Sequence, residues 1–217
     1  RDPEMSRGLG DVYKRQILLQ YLTLENSLLQ YELYSEPLGI SSGAHCQMPI
    51  LLSEYDFNCK DDIDMYFKIL CDLPGYFDGI MRFEAAKADA ELFMSDSLCV
   101  NVINQCEDFE SSALLIDSFA NRINELDSLS DSEKSDYIEE NNAIVSDLIM
   151  PAYTRLASDL TALLGRGRNS LGLYYAVKGC DYYELLTQKY TGSDKSVDDL
   201  FEEIADAVSY THLTLPT

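Results

Sequence analysis

Histidine is nearly absent. The 217 residues contain two, His45 and His212. A zinc site of the HExxH type needs two histidines one helical turn apart on one helix, so this sequence cannot supply one. Basic residues are also scarce: 16 Lys and Arg stand against 38 Asp and Glu, a formal charge of −22. A phosphate-binding face needs clustered Lys and Arg, and the shortage argues against nucleic acid and against anionic membrane surfaces. No apolar run approaches the roughly 20 residues that span a bilayer. The six cysteines, Cys46, Cys59, Cys71, Cys99, Cys106 and Cys180, form no CxxC pair. They read as mostly buried free thiols, Cys99 and Cys106 sharing one helix face. The loop LGISSGAHCQMP has glycines but no lysine at phosphate-loop spacing, which excludes a P-loop. No internal repeat is present.

The two ends have a different character from the middle. Ser6 to Gln16, SRGLGDVYKRQ, and Val208 to Thr217, VSYTHLTLPT, back-translate into sequences that resemble the two arms of a transposon-type sequencing adapter. The expectation is that residues 1–16 and 208–217 are adapter-derived, make few specific contacts, and flank a native segment, 17–207, truncated at both ends. His212 then falls outside the native segment.

What is present is helical periodicity. A helix is expected from Ile17 to Tyr34, then a loop over Ser35–Gln47 and a short helix over Met48–Glu54. Asn58 reads as the N-cap of the next helix, with Ile63, Phe67 and Leu70 on its core face. Pro74 is expected to break it and to open another that runs to about Phe93. Leu98, Val102, Cys106 and Phe109 mark one more helix, and Leu115, Phe119, Ile123 and Leu126 the next. Ser130 and Glu133 form an S-x-x-E capping box ahead of the longest helix, about Asp131 to Leu164, which Pro151 should bend. Leu173–Val177 is the one strand candidate. Gly179–Tyr190 and Ser196–Ala207 close the chain as two helices. The fold class is all-α, with at most one short strand or hairpin near 173–177.

Few constellations carry chemistry. His45-Cys46 pairs a base with a thiol, but adjacent side chains seldom meet and nothing orients the ring. Carboxylate runs such as Asp61-Asp62 and Glu139-Glu140 read as first-turn or solvated charges. Tyr174, Tyr175, Tyr182, Tyr183 and Tyr190 form a dense aromatic group that reads either as helix packing or as a cleft wall. Gly43 is a candidate for a positive backbone angle.

The order and spacing of EPLGISSGAHCQMPILLSEYDF, DDIDMYFKILCDLPGYFDGIMRFEAAKADAELFMS, IMPAYTRLASDLTAL and GCDYYELLTQKYTGSDKSVDDL resemble a bacterial family, domain of unknown function 885. The resemblance covers essentially all of 17–207. One departure is Val177, where the family usually has proline. The resemblance implies a largely helical zinc metallopeptidase of the HExxH class that acts on peptide-like substrates. The HExxH helix and the further glutamate ligand would lie C-terminal to the matched region. It carries over no catalytic and no metal residue, and zinc is expected only in the full-length protein. By family position, Ser42, Gly43, Gln47, Tyr182 and Tyr183 are candidates to line the substrate cleft. The competing expectation is a non-catalytic, acidic helical protein-interaction module, and a third is a thiol enzyme using Cys46. Neither compartment nor oligomeric state follows from these residues.

Overall fold

The computed structural model describes residues 3–110, 112–168 and 171–214. Every regular element among them is helical: α1 (Pro3–Leu28), α2 (Ala44–Ser53), α3 (Lys60–Asp89), α4 (Asp96–Glu110), α5 (Leu114–Asn124), α6 (Asp131–Ile144), α7 (Met150–Leu163), α8 (Gly179–Thr191) and α9 (Val197–Thr214), with short 3-10 turns at Leu29–Tyr34 and Leu173–Tyr175. The chain divides into two compact units, Ser35–Ser170 and the pair of segments Arg1–Tyr34 and Leu171–Thr217.

The larger unit holds the core. Ile63, Phe67, Leu70, Phe77 and Ile80 of α3 are buried with Val102 and Cys106 of α4, Leu115, Phe119 and Ile123 of α5, and Leu156 and Leu160 of α7. Aromatic rings fill its centre: Tyr66 stacks on Phe119 at 5.3 Å, and Phe77 meets Tyr153 edge-on at 5.0 Å. Such pairs add to the burial of area itself.

Three local expectations are corrected. Pro74 lies inside α3, which continues unbroken for 30 residues. A mid-helix proline costs about 3 kcal/mol, but Leu70, Leu73, Phe77 and Ile80 keep one buried face in register across it, and each large apolar side chain buried returns about 1.5–3 kcal/mol. The helix expected over about Asp131 to Leu164 is not a single α-helix. The backbone widens into a π-helical turn at Val145–Ile149, which places Pro151 in the first turn of α7, where its missing N–H is tolerated. Leu173–Val177 forms no strand; a 3-10 turn begins after Gly172 at φ 93°, and an extended segment here has no neighbouring strand to satisfy its backbone.

The starts of α3, α6 and α9 carry side-chain caps. Ser130 Oγ accepts from the Glu133 N–H at 3.4 Å while Glu133 Oε2 accepts from the Ser130 N–H at 2.9 Å. The Lys60 ammonium and the Ser130 donors hold the Glu133 carboxyl down at about 2. On α3 the cap moves one residue, to Cys59, because Asp62 Oδ2 accepts from the backbone N–H groups of both Asn58 and Cys59. Ser196 caps α9, its Oγ accepting from the Asp199 N–H at 3.1 Å.

In the smaller unit, Tyr31 and Tyr34 pack against Tyr182 of α8, and Glu25 pairs with Lys189. Residues 10–22 and 201–210 are exposed throughout. α1 and α9 nevertheless run as single helices through residues 3–16 and 208–214.

Candidate functional site

Two structural neighbourhoods contain the residues singled out in the sequence. In the larger unit, Pro37–Gly43 leads into α2, which begins at Ala44, so His45 and Gln47 are helical and not part of a loop. Gly43 has φ −66°, so no left-handed angle requires glycine there. Space does: a β-carbon at Gly43 would meet the Gly39 amide nitrogen, with Gly39 O and His45 Cε1 each at 2.6 Å. The Gly43 N–H donates to Gly39 O at 2.9 Å, closing the loop. Gln47 Nε2 donates to Ser41 O at 3.1 Å, and Ser42 is exposed.

Beneath this loop sits a buried polar relay. His45 is 2% exposed; its Nε2 lies 2.8 Å from Gln105 Oε1, and its carbonyl accepts from Tyr153 Oη at 2.7 Å. Gln105 Nε2 in turn donates to Ile40 O at 3.0 Å. Burial holds the His45 imidazole below its ordinary value, against the opposing hydrogen bond from Gln105. The ring therefore acts as a structural link between α2 and α4. Cys46 Sγ donates to Gly43 O at 3.1 Å while the His45 imidazole meets Gln105, so the two are not joined as a thiol–imidazole pair. Cys99 and Cys106 are buried and Cys46 is half-buried, but Cys59, Cys71 and Cys180 are exposed, which corrects the expectation of mostly buried thiols.

The second neighbourhood is in the smaller unit. Tyr182 is committed to packing, its ring 5.0 Å from Tyr34 and 5.6 Å from Tyr31. Tyr183, one residue on, is 52% exposed. It lines a concave pocket of about 440 Å3 together with Leu173, Tyr174, Gly179, Cys180, Glu184, Val197 and Asp198. Gly179 makes this close approach possible, because a β-carbon there would run into the Leu173 carbonyl. Glu184 ties the wall together: both its carboxylate oxygens lie 3.2 Å from the Val197 N–H at the start of α9, a placement that the helix dipole favours. Thus the structure brings Tyr183 to a pocket, gives Tyr182 to packing, and leaves Ser42, Gly43 and Gln47 in the other unit.

One buried cluster escaped the sequence reading. Glu84 and Lys87 of α3 are both fully buried. Lys87 Nζ donates to Ser35 O at 2.8 Å and to Glu36 Oε2 at 2.9 Å, and stands 3.7 Å from Glu84 Oε2. Neither Glu84 oxygen has a hydrogen bond among the described residues. Desolvation pushes the Glu84 carboxyl up to about 7, against the pull of Lys87. Burial, with Asp96 and Glu84 nearby, pushes the Cys99 thiol up to about 11. The signal was available: Phe77, Ile80, Glu84 and Lys87 are spaced as one helical face, which puts both charges on the core side.

Among the described residues no three His, Cys, Asp or Glu side chains gather as a metal-holding group, and no helix is long and apolar enough to cross a membrane.

An all-helical chain with a loop-anchored core and an aromatic pocket on α8 is the class that the geometry defines. A family of bacterial proteins of unknown function, DUF885, matches residues 4–212, and the chain belongs to that family. Its fold is similar to that of the crystal structure described as a putative lipoprotein from Colwellia psychrerythraea, with a TM-score of 0.73 at 20% identity. That likeness covers 80% of this chain and 31% of the other, so the chain spans about a third of the solved relative's length. No curated protein matches the chain.

Proposed function

We propose that this chain is the helical portion of a larger peptide hydrolase, and that it frames the substrate cleft without contributing catalytic groups. The observation that supports this most is the Tyr183 pocket. It is concave, has a largely apolar wall with a few convergent polar groups, and falls in the volume range of small-ligand sites. The residues present do not fit a zinc ion, since the two histidines are far apart in sequence and no acidic or thiol cluster compensates among the described residues. Zinc chemistry in the full-length protein would therefore belong to residues outside this chain. On the same reading, residues 1–16 and 208–217 are adapter-derived; every residue of 10–16 and of 208–210 is exposed.

The test is to recover the complete gene and assay its product. An HExxH on a downstream helix, stoichiometric zinc, and zinc-dependent cleavage of a mixed peptide library support the proposal. A complete gene without paired histidines, or a product with no amide hydrolysis, rejects it.

The second reading, a non-catalytic interaction module, draws on a specific feature: Phe201 and Ile204 share one face of α9 and are 72% and 62% exposed on an otherwise acidic helix. Exposed apolar faces of this kind mark contact surfaces.

A further inference from the structure

We infer that the pocket on α8 takes the ammonium group of a lysine-like side chain. This rests on the cleft reading above and names the chemistry that the cleft selects. The cavity of about 440 Å3 accepts one extended side chain with its flanking amides. Its charged lining residues are Glu184 and Asp198, both acidic, and among the described residues no lysine or arginine lines it. Tyr174 and Tyr183 line it with aromatic rings, whose negative quadrupole attracts cations. Leu173 and Val197 supply apolar wall for the four-carbon stem of lysine, which prefers such surface while its head group stays polar.

The usual attraction of a helix N-terminus for anions is already met at this wall. The Val197 N–H at the start of α9 is taken by Glu184. An anionic ligand would meet two carboxylates and no counter-charge. A purely apolar ligand would cover Asp198, which makes no ion pair with any described residue, and desolvate it without return. A primary ammonium satisfies both: its three donors suit Asp198 and Glu184, and its charge suits the rings.

The experiment titrates the 217-residue protein with Nα-acetyl-lysine N-methylamide and, separately, with the norleucine analogue, which has a similar stem without the charge. Backbone amide resonances of residues 173–198 are followed. The expected result is that the lysine compound shifts the amides of Tyr183 and Val197 and binds about ten-fold more tightly than the norleucine compound, the difference shrinking with salt. Asp198→Asn weakens lysine binding several-fold. Tyr183→Phe keeps it, and Tyr183→Leu loses it, with helix content unchanged. Equal binding of the two compounds, no shifts in this segment, or indifference to all three substitutions overturns the inference. The failure of the hydrolase reading looks different. Full-length protein that cleaves peptides without preferring lysine over norleucine defeats this inference alone. Lysine-selective binding without any hydrolysis defeats the hydrolase reading alone.

Discussion

Replacing Glu84 with glutamine should make the protein more stable at alkaline pH and remove part of its pH dependence. Glu84 is fully buried, its oxygens are not hydrogen-bonded among the described residues, and its closest cation, Lys87, already donates to Ser35 O and Glu36. Its carboxyl is raised from 4.5 to about 7, chiefly by desolvation. A group with a higher value in the folded chain binds more protons when folded. Stability from this site is therefore full below about 4.5, falls as pH rises through 4.5 to 7, and is lost above that. The gap between the two values corresponds to a penalty of about 3 kcal/mol at pH 8 as an upper figure. Glu84→Gln mimics the neutral acid in shape, and Lys87 keeps Glu36. Thermal unfolding at pH 8 should rise by several degrees, at roughly 2–4 °C per kcal/mol for a chain of this size. At pH 4 the variant and the parent should coincide. The groups facing Glu84 are Lys87 on its own helix, Glu36 from the loop before α2, and Cys99 from α4, and the first two carry the controls. Glu36→Gln should leave the alkaline gain of Glu84→Gln in place, whereas Lys87→Met should destabilise the parent by about 3–5 kcal/mol at pH 8, because an uncompensated buried charge remains. An equal or lower melting temperature for Glu84→Gln at pH 8, or the same offset at both pH values, would refute the reasoning.

The remaining predictions are local. Gly43→Ala should lower stability by about 1–3 kcal/mol through overpacking against Gly39 and His45, read by denaturant melts. Tyr153→Phe removes the donor to the buried His45 carbonyl and should cost about 1–3 kcal/mol with helix content unchanged. Ser130→Ala should cost about 1 kcal/mol through the lost N-cap, and amide exchange should show the loss confined to the first turn of α6.

The sequence carried most of the element types and little of the site. Periodicity placed Ile63, Phe67, Leu70, Leu115, Phe119 and Ile123 in the core, and S-x-x-E placed the start of α6, because each depends on spacing within a single helix. Pro74 and Pro151 could not be read this way. Whether a proline breaks a helix depends on the burial on either side and on backbone adjustments such as the π-turn at Val145–Ile149. Gly43 looked like a turn glycine, yet what it needs is room beside Gly39, a contact between backbone segments that no residue pattern announces. The separation of Tyr182 from Tyr183 was equally hidden. Both are tyrosines on one helix, and only the positions of Tyr31 and Tyr34 decide which ring packs and which faces the pocket.

The cleft claim is tested most directly by Tyr183→Ala in the complete protein of the proposed zinc peptidase, with peptide cleavage followed at varied substrate concentration. The account predicts a raised KM with bound zinc and kcat nearly unchanged, because the tyrosine wall binds substrate and does no chemistry. An unchanged KM, with zinc content and fold intact, would contradict it.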